Sequence, residues 1–334
     1  MERPSPGLHP PGAAGGAAHL PLLRGGLRPQ GLSLTLWRIL DGRPGHERQS
    51  EGLARALAER CALAVHDLPA PTARTALGWW LAGAFPPGEG LPDPDLIVGA
   101  GHATHAALLA ARRARGGRAV VLMRPSFPLG WFDLCVVPRH DRPPARANVL
   151  ATLGVLNPVR PDPGPRAAEG LVLVGGPSAH HGWDAAALLA QVREVVERGH
   201  GLAWTLATSR RTPEGFAEAA SAALGPLGVE VVPAEATDGG WLPARLARAR
   251  VAWVSEDSVS MAHEALSAGA ALGLLAAPRR RRSRVAAAMD ALVAEGLAVR
   301  HADWRAGTPL RPPPAPLDEA GRCADWILAR WFGA

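Results

Sequence analysis

The run VAWVSEDSVSMAHEALSAGAALGLL at residues 251–275 constrains the fold more than any other stretch of this chain. Its first four residues are apolar on both faces, the pattern of a strand buried in a parallel sheet between two layers of helices. Ser255, Glu256, Asp257 and Ser258 then break the run. Short oxygen-bearing side chains start helices by accepting bonds from the first free N–H groups, so Asp257 or Ser258 is expected to begin one. Val259, Met261, Ala262 and Leu266 follow a helical stripe, Gly269 supplies a stop, and residues 270–275 return to strand-like apolarity. The stretch reads as a buried βαβ unit.

In open α/β sheets ligands bind outside the carboxyl ends of the strands, which puts residues 255–260, Ser260 included, where a site would lie. A helix start offers unpaired N–H groups to a phosphate. Glu264, more than a turn into the helix, could reach hydroxyls of the same ligand. The competing reading is that Asp257 and Ser258 only cap and Glu264 faces solvent.

At 334 residues the chain has room for two domains with separate cores. All 36 basic side chains are Arg, and the formal net charge is +6. That balance favours anionic partners such as nucleotides, phosphosugars or an acidic membrane surface, and no nucleic-acid motif accompanies it. Cys61, Cys135 and Cys323 are scattered, odd in number and set among apolar residues, so neither a disulfide framework nor a metal knuckle is indicated. A reducing, cytoplasmic location is expected. No apolar run approaches the ~20 residues that span a bilayer. Residues 1–33, rich in Pro, Gly and Ala, read as a disordered extension without the charged start and apolar core of a signal peptide.

The first ordered strand is expected at residues 34–40, running into the loop DGRPGH at 41–46, with a helix over 47–60. Gly42 and Gly45 allow close backbone approach to a ligand, and Arg43 adds a cation. The loop lacks the Gly-Lys-Ser/Thr ending of a P-loop and the spacing of a dinucleotide fingerprint. His46 and Asp41 are its acid–base candidates; alternatively Asp41 caps and His46 packs. Trp79, Trp80 and Phe85 precede a Pro/Gly-rich loop, as a core helix or as an exposed patch that touches lipid. Further strands end at Gly101, before His102 and His105; at Arg124; and at His140. Strand after strand ending in Gly, Arg, His or Ser points to a polar cleft along one sheet edge.

Residues 159–169 are Pro-rich and polar, the composition of a linker. The pattern then restarts with a strand at 171–174, a glycine loop holding Gly175, Gly176 and Ser178, and a helix. The next strand ends in Ser209, Arg210 and Arg211, two arginines suited to clamping a diphosphate or else merely solvated. Residues 279–282 form the densest basic run, normally a solvated loop. Together with the aromatic cluster at 79–85, it would suit peripheral contact with an anionic membrane. An amphipathic helix closes the chain.

The pieces DGRPGH, LIVGAGHATH, VVLMRPSFPLGWFDLCVVPRHD, NVLATLGVLN, VGGPSAHHGWD, TSRRTP and SEDSVSMAHEAL resemble the Elm family of mitochondrial-fission-type proteins, from residue 37 to 275. The resemblance implies an α/β fold of the GT-B kind, two Rossmann-like domains facing a cleft, and a glycosyltransferase activity. With the Pro-rich break and the restarted pattern, the expectation is an N-terminal acceptor-side domain at 34–158, a linker at 159–169, a nucleotide-sugar domain at 170–316, and a C-terminal helix at 317–334 packing back on the first domain. A more distant likeness to nucleotide-sugar transferases of that fold puts Gly175 and Gly176 in the loop opening the second domain. It also puts Glu264 through Gly269 on the donor; Ser258 and Met261 depart from the residues usual there.

The reading that follows is a metal-independent glycosyltransferase needing no cofactor, using a nucleotide-sugar donor in envelope or surface polysaccharide synthesis. Helix starts and basic side chains would stabilise the departing diphosphate. His46, or second Asp41, would be the base on a lipid-linked or saccharide acceptor. Two alternatives stand beside it: a scaffold that keeps the fold without catalysis, and a nucleotide-sugar epimerase.

Overall fold

The computed structural model describes residues 31–334 except 163, 281 and 282. The expectation for residues 1–33 therefore lies almost wholly outside the described residues. Twelve strands among them form two separate parallel sheets of six. The first contains β1 (Ser33–Leu40), β2 (Ala62–Pro69), β3 (Leu96–Ala100), β4 (Arg118–Leu122), β5 (Leu134–Pro138) and β6 (Val149–Thr152), in the order β2-β1-β3-β4-β5-β6. The second contains β7 (Glu169–Leu173), β8 (Ala203–Ala207), β9 (Glu230–Val232), β10 (Val251–Ser255), β11 (Ala271–Leu275) and β12 (Ala298–Arg300), in the order β12-β11-β10-β7-β8-β9.

Parallel strands must be joined by crossovers, and here helices cover both faces of each sheet. In the first half α1 (Pro44–Ala58) packs Leu53 and Leu57 on one face, over Leu36, Leu96 and Val120. On the other face α2 (Ala73–Ala82) and α3 (His105–Arg115) cover Trp37, Ile97 and Val121. In the second half α6 (Trp241–Arg248), α7 (Val259–Ala268) and α8 (Arg284–Ala294) lie on one face. The other face carries α4 (Ala185–Arg198), α5 (Phe216–Leu224) and α9 (His301–Arg305). All-apolar strands such as β3, β5 and β11 are buried along their whole length, as two-sided covering requires.

The final helix, α10 (Glu319–Trp331), packs Cys323, Ile327 and Leu328 into the core beside α1. Asp318 caps it by accepting from the Gly321 N–H at 2.8 Å. Glu319 then accepts from the Leu153 N–H at 3.1 Å, beyond the end of β6. Arg166, in the segment that joins the two sheets, donates to the Ala249 and Ala268 carbonyls. It thus neutralises the negative carbonyl end of α7 just before the left-handed turn at Gly269.

Helix α1 begins at Pro44 rather than at residue 47. Proline is at home in the first helical turn, where its missing N–H would have had no partner and its φ is preset. Gly45 and His46 consequently lie inside the helix rather than in a loop before it.

Candidate active site at the two switch points

In each sheet the strand order reverses beside the first strand: between β1 and β3 in one, between β7 and β10 in the other. Neighbouring connections leave to opposite faces there, opening a crevice at the carboxyl ends. Many of the residues singled out from the sequence, Asp41, His46, Gly101, Gly175, Gly176, Asp257 and Ser258 among them, follow the strands that flank these two points.

At the first, Asp41 leaves β1 with its side chain almost fully buried and accepts from the Arg43 N–H at 3.1 Å. Its other oxygen lies 2.8 Å from Nδ1 of His46. A carboxylate there holds the proton on Nδ1 and leaves Nε2 with a lone pair, the arrangement of an oriented general base. Nε2 has no protein partner among the described residues. Gly101, at φ 81 after β3, is where the ring rests: a β-carbon there would fall 2.3 Å from His46 Cε1. Met123, just after β4, holds φ at 72, a strained value for a side chain of its size.

The acceptor-side candidates divide. Arg43, Gly45, His102 and Arg124 are exposed around this end of the sheet. Arg124 donates to the Asp141 carbonyl at 2.7 Å. His105 does not belong with them. It is buried between Phe127 and Phe132, with Nδ1 3.2 Å from Ser126 Oγ, and burial lowers its pKa to about 4.

At the second switch point the glycine loop is closed by the loop after β10. The Gly175 N–H donates to Ser255 Oγ at 2.8 Å, and the Gly176 N–H donates to Asp257 at 3.0 Å. Arg211 donates to the same Asp257 oxygen at 2.7 Å and to the Gly176 carbonyl at 2.7 Å. β-Carbons at Gly175 and Gly176 would meet Asp257 and the Arg211 backbone at 2.0 Å. These two glycines are thus needed for loop-on-loop packing, and their N–H groups are already engaged. Asp257 is a hub for both loops instead of a helix cap. Ser178 accepts from the His180 and His181 N–H groups, and Ser209 from that of Arg211. Arg210 is exposed.

Ser258 is the N-cap of α7 without a side-chain capping bond. The first bond into the helix runs from the Ala262 N–H to the Ser258 carbonyl at 3.2 Å. The N–H groups of Val259, Ser260 and Met261 precede it and point out of the helix start. Glu256 is paired with Arg279 at 3.1 Å and Arg300 at 3.2 Å, and both arginines also reach Asp290. Arg279 is therefore a neutralised member of a network and not a solvated loop cation, while residues 281 and 282 of that basic run lie outside the described residues. Phe85 likewise belongs to the core, stacked on Trp37, with Trp79 edge-on to it. Leu77, Trp80 and Leu81 of α2 are exposed, and the Arg113 guanidinium lies 4.9 Å from the Trp80 ring centre.

Glu264 is 5% exposed and does not face solvent. Its partner, which sequence reasoning did not single out, is Arg48 of α1, in the other half: Nε lies 3.1 Å from Oε1. The N–H is off the line to the oxygen, and Nε and Nη2 make no aligned hydrogen bond, so the contact is an ion pair. Burial raises the Glu264 carboxyl above its ordinary range against the pull of Arg48. Beside it, His263 is wholly buried on α7 with its ring over Gly154, which follows β6. Asn157 donates to Ser267 Oγ at 3.0 Å along the same join. Arg48 stands two residues after His46, and Glu264 six after Ser258. At about 1.5 Å of helix per residue, the His46 dyad and the start of α7 lie roughly 3 Å and 9 Å along their helices from one shared contact.

Two open cavities lie elsewhere, at the outermost strands. One of about 830 Å³ is lined by Arg146, Val149 and Ala151, and one of about 450 Å³ by Leu272, Val299 and Arg311. Among the described residues no group of three or more His, Cys, Asp or Glu side chains is placed to hold a metal ion. No helix among them is long and apolar enough to cross a membrane.

The whole fold is shared with known structures. A Listeria monocytogenes protein described as a UDP-N-acetylglucosamine 2-epimerase superposes with a TM-score of 0.57 at 15% identity, covering 91% of this chain and 98% of that one. The UDP-GlcNAc 2-epimerase from Methanocaldococcus jannaschii gives 0.51 at 10% identity, covering 90% and 100%. S. aureus MnaA, solved with UDP, gives 0.51 at 14%, covering 90% and 97%. At such identities the likeness is one of fold, the two-sheet GT-B arrangement. No curated protein sequence matches the chain. The family model described as Mitochondrial fission ELM1 matches residues 44–331, nearly the whole described chain. The chain belongs to that family.

Proposed function

We propose that the protein transfers a sugar from a nucleoside-diphosphate donor, held by the second half, to an acceptor hydroxyl deprotonated by His46. The observation that carries this reading is the Asp41–His46 pair: an imidazole oriented through Nδ1, with Nε2 unpartnered among the described residues at a sheet's switch point. Such a base removes a proton as the acceptor oxygen attacks the anomeric carbon, and the sugar–phosphate bond breaks with its electrons on the diphosphate. The free N–H groups of Val259, Ser260 and Met261 and the positive end of α7 suit that developing charge. Glu264 is the acceptor for donor hydroxyls, and Ser258, Ser260 and Arg210 border the phosphates.

On this reading residues 34–158 and 170–316 act as two domains, joined at 159–169 and by the return of 317–334. The acceptor is a saccharide or a lipid-linked one. Exposed Leu77, Trp80 and Leu81, with Arg113 stacked on Trp80, support presentation at an anionic bilayer. Co-sedimentation with anionic vesicles tests that arm.

One observation favours a second reading, a binding scaffold without turnover: the Gly175 and Gly176 N–H groups are engaged by Ser255 and Asp257 and cannot serve a phosphate as the loop stands. Calorimetry with UDP, GDP and ADP, followed by a nucleotide-sugar panel with product detection, separates the two. Transfer is expected, with His46→Ala lowering turnover about 10²- to 10⁴-fold while nucleotide binding persists. Binding without transfer to any acceptor or to water supports the scaffold. Solvent deuterium entering the donor sugar would mark an epimerase.

A further inference from the structure

The Arg48–Glu264 ion pair joins the two halves at the position assigned above to the donor. Resting on that reading, we propose that Arg48 is a competing occupant of the nucleotide subsite, a latch that closes the cleft over Glu264 until a nucleoside diphosphate displaces it.

Three observations carry the inference. Glu264 is buried and its charge is met by Arg48, which approaches from α1 in the other half and not from its own helix. The contact is imperfect: Nε sits 3.1 Å away but off line, and Nη2 is buried without a hydrogen-bond partner among the described residues. A guanidinium kept for stability alone would be expected to form the two parallel bonds its shape allows. By contrast, Arg279 makes paired contacts of that kind with Asp290 and with Glu256. The third observation is the surroundings. The other polar groups at this switch point, Asp257 and Glu256, are fixed by partners in their own half. Glu264 alone among these carboxylates depends on the other half.

A ribose offers two adjacent hydroxyls, which can donate to one carboxylate and replace the charge contact with two aligned bonds. Arg48 is then released from Glu264 to solvent. The exchange lowers the apparent affinity of the wild-type protein by the fraction of molecules in which the latch is shut.

The test compares UDP, GDP and ADP binding to the wild type and Arg48→Gln by calorimetry. It also follows the Arg48 Nε–H by NMR, identified by its loss in Arg48→Lys. A latch shut in nine molecules of ten predicts roughly tenfold tighter binding to Arg48→Gln. It also predicts an Nε–H protected from exchange in the free protein and exposed once nucleotide is bound. Equal or weaker binding to Arg48→Gln with a folded-state melting curve, or an Nε–H unchanged by bound nucleotide, overturns the latch and leaves the nucleotide site standing. Absence of binding to both proteins removes the nucleotide reading, and the latch with it.

Discussion

The His46 ring lies against Gly101, so close that a β-carbon there would sit 2.3 Å from Cε1 and 2.4 Å from Nδ1. Glycine is required twice over, by this contact and by φ 81. The ring is thereby held between Asp41 and the end of β3.

Gly101→Ala is expected to destabilise the protein by about 2–4 kcal/mol, from left-handed strain and from the displaced ring. In a His46→Ala background the second cost disappears, and about 1–2 kcal/mol of strain persists. Urea unfolding of the four proteins in this cycle reads the coupling. Costs that simply add would mean that the ring moves aside freely.

Asp257 has the larger structural role at the opposite switch point. Its buried carboxylate satisfies the Gly176 N–H and the Arg211 guanidinium together. Asp257→Ala leaves a buried donor and a cation unmatched and is expected to cost about 3–5 kcal/mol. Asp257→Asn keeps one acceptor and should cost less. Arg211→Ala, by contrast, leaves Asp257 with the Gly176 N–H. Chemical denaturation ranks the three, and equal small losses would contradict the hub.

Much of this architecture is legible in the sequence because two-sided burial writes itself as unbroken apolar runs. The central strands β3, β7 and β10 stand out for that reason, and so does the α7 stop at Gly269. Edge strands are harder. β2, ALAVHDLP, is half exposed and carries His66 and Asp67, and β12 is three residues long. Neither has a periodicity strong enough to separate from loop. Asp41, His46 and Glu264 were recognisable as candidates because polar groups at strand ends and helix starts are few. The partner of Glu264 was not: Arg48 sits between Glu47 and Glu51 on a helix, which locally reads as a solvated charged face. Only the meeting of two sheets makes it an interface residue. The same lack of long-range information made His105 look like a site residue when Phe127 and Phe132 enclose it.

Acid should weaken the fold through its buried imidazoles. Burial, with His140 nearby, lowers His263 to about 3, and burial, with His102 nearby, lowers His105 to about 4, from 6.5. Below 6.5 the unfolded chain binds protons that the folded one refuses. The stability each contributes is therefore complete above that pH and declines as pH falls towards the folded value. The slope is about 1.4 kcal/mol per pH unit for each group. Glu264 runs the other way, since its raised carboxyl takes up a proton more readily when folded and so offsets part of the loss. His263→Leu should flatten the stability profile between pH 6.5 and 4 by about one group's slope. An unchanged slope would show that His263 does not stay neutral and buried as the fold acidifies.

The two halves are held together by a close contact at Gly154. Gly154, beyond β6, faces the His263 ring of α7 so closely that a β-carbon would lie 2.1 Å from Cε1, 2.2 Å from Nδ1 and 2.4 Å from Nε2. These three distances place it over the ring face. The ring cannot swing away, because His263 is wholly buried in α7. Nor can the Gly154 backbone retreat easily, since the neighbouring Leu153 N–H is bonded to Glu319 of α10. A methyl group at 154 must then part the halves, loosening the Arg48–Glu264 and Asn157–Ser267 contacts along the same join. Gly154→Ala is expected to cost about 1–3 kcal/mol, the usual penalty for overpacking a tight contact. His263→Ala in the same chain makes room for that methyl, so the double variant should be more stable than the sum of the single losses predicts. Urea unfolding measures this coupling, and small-angle scattering should find Gly154→Ala wider than the wild type and the double variant restored. Additive losses with an unchanged scattering profile would show that the join yields at Gly154 without moving the halves.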